Sequence, residues 1–227
     1  MKSDIPKVLH PLCGKSLIEH VVDNLNLAGI DDILVVVGYR GDEVIDRLGS
    51  RVNYVWQYQQ LGTGHAVMQA EEYFKNYNGD IIVACGDVPL IKPETFKNLT
   101  ALADEKTGAV VLTMIQDNPA GYGRIVRENK RFARIIEEKD ANDEVRKIKE
   151  VNSGTYVFKA KYLFEGLKRI NTNNAQGEYY LPDVLSYILS VGLKVEILQL
   201  IDSIEGSGIN TREELVSLEQ YVIMKEG

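Results

Sequence analysis

Residues 81–90, IIVACGDVPL, form a β-branched and apolar run that stops abruptly at Gly86, Asp87 and Pro89. Such a run is how a buried parallel strand delivers one carboxylate to the rim of a sheet, and ligands of open α/β sheets bind at those strand ends. Asp87 there suits a metal ion or a substrate hydroxyl; taken alone, Gly-Asp and Val-Pro read equally simply as a solvated turn. The segment LGTGHA, residues 61–66, sets Gly62 and Gly64 around Thr63 just before a helical pattern. Glycines let the backbone come close to a ligand, and amides at a helix start suit a phosphate or a base edge. The GxGxxG spacing is missing, so a tight turn accounts for the motif as well, and His65 fits capping or packing better than catalysis. Lys7 lies between Pro6 and Pro11 in a stiff segment, which suits a fixed phosphate contact, although most lone lysines are solvated. Gly123, Glu137 and Asn152 each stand at the edge of a strand-like run. Polar groups at strand ends that face one crevice are what a sugar with many hydroxyls needs; local loop hydrogen bonds are the plainer account. The polar run NNAQGEYY, residues 173–180, fits a dimer contact, a lid or a sugar-binding wall.

The elements that must hold these residues belong to a chain of 227 residues, 44% hydrophobic, with net charge −7. That size suits a single α/β domain over residues 1–227. The acidic balance argues against broad nucleic-acid binding, so basic residues that meet phosphate must be local. Cys13 and Cys85 have no neighbouring cysteine and no metal-ligand spacing, which reads as reduced thiols in a reducing compartment. No apolar run approaches a membrane span, and Lys2, Asp4, Lys7 and His10 stand where a signal-peptide core would lie. The expectation is a cytoplasmic protein without membrane or nucleic-acid partners.

Helical and strand patterns alternate through the first half. Residues 16–27 read as a helix closing near Gly29, 33–38 as a strand, 42–48 as a short helix and 52–57 as a strand. Residues 63–74 read as a helix with Thr63 as N-cap, and 81–85 as the next strand. This βαβ alternation implies a mostly parallel, doubly wound sheet with helices on both faces. Further on, 93–105 reads as a helix opening with proline, 109–115 as a strand, and 123–138 as a hairpin around Asn129 and Lys130. Residues 140–149 read as an exposed loop or frayed helix, 151–158 and 194–200 as strands, and 211–224 as a final helix.

The order of the motifs carries more than any one of them. IPKVLHPLCGKSLIEHV, QLGTGHA, GDVPLI, GYGRIVRE, IIEEKDAN, EVNSGTYVF, NNAQGEYYLPDV and GINTREEL follow one another as in the uridylyltransferase domain of the bifunctional bacterial GlmU family, which the chain resembles over nearly its whole length. The resemblance implies a Rossmann-like nucleotidyltransferase fold and the transfer of a uridylyl group from UTP to N-acetylglucosamine 1-phosphate, giving UDP-N-acetylglucosamine and pyrophosphate with Mg2+. It implies that Lys7 contacts nucleotide phosphate, that Gln57, Gly62 and Thr63 hold uracil, and that Cys85, Gly86 and Asp87 line the ribose and metal region. A tyrosine is more usual at Cys85. Gly123, Glu137 and Asn152 would bind sugar, and Asp87 and Asn210 would ligate Mg2+. The expected departures are the absence of the family's first, central strand and glycine-rich loop, with Met1 matching the end of that loop, and the absence of the left-handed β-helix acetyltransferase domain through which full-length members form homotrimers. Another sugar-1-phosphate nucleotidyltransferase and a non-catalytic nucleotide-sugar binder stay open as alternatives.

Overall fold

A computed structural model describes residues 5–226; the expected match of Met1 lies outside them. The described chain opens with a 3-10 turn at Lys7–Leu9 and a tight hairpin of β1 (Pro11–Leu12) and β2 (Lys15–Ser16). Its two connecting residues, Cys13 and Gly14, both have positive φ, as a two-residue loop between right-twisted strands requires. α1 (Leu17–Leu27) starts from a capping box in which the Ser16 hydroxyl and amide donate to Glu19 at 2.7 and 2.8 Å. β3 (Leu34–Val37), α2 (Gly41–Leu48), β4 (Asn53–Trp56), α3 (Thr63–Met68), β5 (Asp80–Val83) and α4 (Pro93–Ala101) continue the predicted alternation. β6 (Thr107–Ile115), the hairpin β7 (Arg124–Glu128) and β8 (Arg131–Ile136), α5 (Asp143–Arg146) and β9 (Glu150–Lys159) follow. α6 (Ala160–Leu167), α7 (Val184–Ser190), β10 (Lys194–Gln199) and α8 (Arg212–Glu226) complete the chain.

Most predicted elements form, with local corrections. Asn129 and Lys130 both take positive φ at the tip of the expected hairpin. α3 ends at Met68, six residues short of the expected helix, and Gly62 with φ 105° occupies its N-cap in place of Thr63. α4 ends at Ala101, and the charged segment after residue 140 winds one turn, α5, capped by Asn142 accepting from the Val145 amide at 2.9 Å. α7 follows the polar run 173–180, which reads as a loop entering a helix, whereas α6 stands where no element is expected.

The main sheet is mixed, in the order β10-β6-β9-β7-β8, with β5 also paired to β9. The expectation of a mostly parallel sheet is corrected: β10–β6 and β3–β4 are parallel, whereas β6–β9, β5–β9, β7–β8 and β7–β9 are antiparallel. β9 runs against three neighbours, and a hairpin with short connections permits this where helical crossovers would not. β3 and β4 stand apart as a two-stranded sheet, and no ladder joins β3 to β5 among the described residues.

β6 explains why its sequence reads as a continuous apolar run. Val110, Leu112 and Met114 pack on one face with α1, α2 and α4 side chains, whereas Ala109 and Val111 pack on the other with α6 and α7. Both faces are covered, so no polar alternation is needed. A third cluster joins Leu12, Leu17, Ile209 and Leu218, tying the first hairpin to the segment that carries Asn210.

Candidate functional site

β9 pairs with β6 along one edge, but its other edge changes partner. Val151 faces Arg124 of β7, whereas Tyr156 through Lys159 face β5. Between them Gly154 takes φ +80°, and the β6 ladder slips register beside it, so the strand is bulged there. β5 therefore ends, and β7 begins, at either side of one bulge. The fork brings Cys85, Gly86 and Asp87 from one side and Gly123 from the other onto the same stretch of β9. Cys85 Sγ donates to the Gly154 carbonyl at 3.5 Å, and the Asn152 amide donates to the Gly123 carbonyl at 2.9 Å. A Cβ on Gly154 would lie 2.9 Å from Cys85 Sγ, which is why a glycine stands in this strand.

Three of the residues singled out from the sequence meet at the rim. The Lys7 ammonium pairs with Asp87 Oδ2 and donates to Asn210 Oδ1 at 2.9 Å, across 203 residues of chain. The Ile209 amide donates to the Asp87 carbonyl at 3.1 Å, so the two oxygen-bearing segments are also joined through their backbones. Gly86 keeps the approach close, since a Cβ there would sit 3.2 Å from Val8. Two oxygens from distant segments thus converge on one cationic group. That donor set suits a hard divalent cation that keeps several waters, and no group of three or more His, Cys, Asp or Glu residues with metal-holding geometry occurs among the described residues.

Glu137, Asn152 and Gly123 gather on the other side of the bulge. A Cβ on Gly123 would lie 3.1 Å from Glu137 Oε1. The Asn152 side chain is engaged locally, donating to the Tyr156 hydroxyl at 2.6 Å and accepting from the Gly154 amide at 3.1 Å. Burial, then the nearby Asp183 and Asp140 carboxylates, push the Glu137 carboxyl up to about 7, against the pull of Arg124. Burial and the Asp87 charge push the Cys85 thiol up to about 12, with Lys7 opposing, so Cys85 is a protonated thiol at neutral pH. The Tyr156 phenol is raised well above its usual range by burial, and it senses both Glu137 and Cys85; this residue links the two sides and was not singled out from the sequence.

Gln57, Gly62 and Thr63 form a third group. Gln57 Nε2 donates to the Gly62 carbonyl at 3.2 Å and lies 3.0 Å from His65 Nδ1. The Gly64 amide donates to the Tyr179 carbonyl at 2.7 Å, the Tyr179 amide to Leu61 at 2.8 Å, and the Leu181 amide to Thr63 Oγ1 at 3.1 Å. A side chain at Gly62 would strike the Tyr179 carbonyl at 2.7 Å. Thr63 therefore braces the 173–180 loop where a helix cap was expected. That loop is fastened at its far side to Asp140, whose oxygens accept from the Ala175 amide at 2.9 Å and the Tyr180 hydroxyl at 3.1 Å, and Lys139 donates to Gln176 at 2.7 Å. It is a fixed wall between the GTG turn and the Glu137 side. Arg124, 2% exposed, also went unnoticed in the sequence; it bonds Glu138 at 2.6 Å and the Tyr122 carbonyl. An arginine alternating into a strand pattern gives no sign that it points inward.

The family model for nucleotidyl transferases matches residues 2–201. The chain is 46% identical over 224 residues to the bifunctional protein GlmU of Halalkalibacterium halodurans, and 46% identical to that of Streptococcus agalactiae, in each case covering 98% of this chain and 49% of the relative. It spans about half the length of these curated relatives. A solved UDP-glucose pyrophosphorylase, complexed with UDP-glucose, superposes with a TM-score of 0.78 at 21% identity over 97% of this chain and 91% of its own, a likeness of fold.

Proposed function

We propose that this chain, which belongs to the nucleotidyl transferase family, transfers a uridylyl group from UTP to N-acetylglucosamine 1-phosphate. The convergence of Lys7, Asp87 and Asn210 beside the β9 fork is the observation that carries the reading. In this reaction an oxygen of the sugar phosphate attacks the α-phosphorus in line, and pyrophosphate leaves with the electron pair of the broken P–O bond. The nucleophile is already anionic, so no protein base is required, and rate comes from positioning and charge neutralisation. Lys7 holds a phosphate oxygen. Asp87 and Asn210 would hold Mg2+, which would supply further neutralisation of the triphosphate charge. Gln57, Gly62 and Thr63 present backbone and amide groups to the base, and the fixed 173–180 wall restricts what fits between base and sugar. Cys85 and Gly86 line the ribose side. Gly123, Glu137 and Asn152 take the sugar hydroxyls, with the Glu137 carboxyl titrating close to neutral pH.

The test is pyrophosphate release from UTP and N-acetylglucosamine 1-phosphate, compared with dTTP, CTP and GTP. Turnover restricted to UTP supports the proposal. Preference for another triphosphate would move the chain to a different sugar-1-phosphate transferase, and saturable nucleotide-sugar binding without pyrophosphate would make it a binder.

A further inference from the structure

Glu205 lies outside every motif considered so far, yet the residue is 6% exposed and its carboxylate is engaged at both oxygens. Oε1 accepts from the Lys92 amide at 3.1 Å and from the Thr95 hydroxyl, and Oε2 pairs with the Lys92 ammonium at 3.1 Å. Lys92 is the N-cap of α4 and its own side chain does not cap the helix. Glu205 reaches from another segment to the N-cap amide of Lys92 and the Thr95 hydroxyl, placing a negative charge beside the N-terminus of the helix, where it is stabilised. A buried carboxylate so partnered is expensive to disturb.

Its place in the chain gives the contact a further meaning. Lys92 follows Asp87 by five residues, and Glu205 precedes Asn210 by five. The Ile209-to-Asp87 backbone bond and the side-chain clamp therefore close the same two segments together, the first right beside the paired oxygens and the second five residues further along each segment. Several other hydrogen bonds of residues 202–211 run elsewhere, among them Asp202 to Tyr221, Ser207 to Gln116 at 3.3 Å, and the Asn210 amide to Glu214 at 2.6 Å. We infer that Glu205 is a positioning residue for the cation site, setting the separation of Asp87 and Asn210 by locking the Asn210 segment onto the start of α4. The inference rests on the reading of Asp87 and Asn210 as oxygen donors to a divalent cation.

Mn2+ titration followed by electron paramagnetic resonance, on the full chain, tests it together with amide hydrogen exchange. Glu205→Gln should bind Mn2+ about tenfold more weakly, as supporting partners of ligands typically do, and should speed exchange at the Ile209 amide. Thr95→Ala, which leaves Glu205 charged and bonded to Lys92, should show the same changes in smaller measure, and Thr95→Ser should restore them. If both Glu205→Gln and Thr95→Ala lower the melting temperature but leave Mn2+ affinity and Ile209 exchange unchanged in the folded protein, the carboxylate is only a helix cap and the inference is wrong. Asp87→Asn reports on the underlying reading by itself. Unchanged Mn2+ binding in that variant, or none in the unsubstituted chain, refutes the cation assignment and with it the role given to Glu205.

Discussion

Gly154→Ala should be among the more damaging single-methyl additions in the chain, for two reasons that can be separated. With φ +80°, an alanine at residue 154 incurs roughly 1–2 kcal/mol of left-handed backbone strain. The new Cβ would also stand 2.9 Å from Cys85 Sγ, inside any normal contact distance, and displacing that sulfur adds about 1–2 kcal/mol, the lower part of the range for overpacking because only one atom is struck. The sum, roughly 2–4 kcal/mol, is a large share of a domain stability of about 5–15 kcal/mol. Urea unfolding of Gly154→Ala beside Gly29→Ala isolates the second part, since Gly29 has φ +86° and nothing within 4 Å of its Cβ position. The two variants share the strain and differ by the clash. Cys85→Ala combined with Gly154→Ala removes the struck sulfur, so the double variant should be about 1 kcal/mol more stable than the sum of the single effects predicts. Equal costs for Gly154→Ala and Gly29→Ala, together with strict additivity in the cycle, would refute the close approach of β5 to the bulge. Turnover in Gly154→Ala should fall more than its stability explains, because the sulfur sits two residues from Asp87.

Asp87→Asn should cut turnover far more than stability, and Asn210→Ala should act alike; near-normal turnover of either at limiting Mg2+ removes it from the cation site. Glu137→Ala and Asn152→Ala should raise KM for N-acetylglucosamine 1-phosphate more than KM for UTP, by roughly 1–3 kcal/mol of lost discrimination; a selective effect on UTP would transfer them to the nucleotide side. The Glu137 carboxyl is raised from 4.5 to about 7, so its neutral form is favoured in the fold. Its contribution is present below pH 4.5 and is lost as pH rises through about 7, and the difference in urea stability between the native chain and Glu137→Gln should change across that window and level off above it. A difference that stays flat between pH 4 and 8 would show that the carboxyl is not buried among Asp140 and Asp183 as described.

The elements were legible where one local signal decided them. Ser16 with Glu19 spelled a capping box, and the pair Asn129 and Lys130 accepted the positive φ of a two-residue turn. Residues 109–115 read as a strand, and β6 forms there, covered on both faces. α3 is shorter than its apolar spacing suggests, because that spacing continues past Met68 while the chain itself breaks into turns, its packing against the 173–180 wall being confined to the first helical turn. The strand directions were beyond reach of βαβ counting, since β9 reverses direction on the strength of a hairpin whose strands read like any others. The site divides in the same way. Asp87 and Gly123 were visible because chain-breaking residues mark strand ends, and a strand end is a position that sequence records. Gly154, Tyr156, Arg124 and Glu205 were not visible, because each matters through a contact with a residue far away in the chain. A glycine in SGTYVF reads as a weak point in a strand until Cys85, 69 residues earlier, is seen against it. Motif order could place Asn210 beside Asp87 only by resemblance. Physical contact places it there independently, through the Lys7 ammonium and the Ile209 amide, and that contact is what makes the cation reading open to test by substitution.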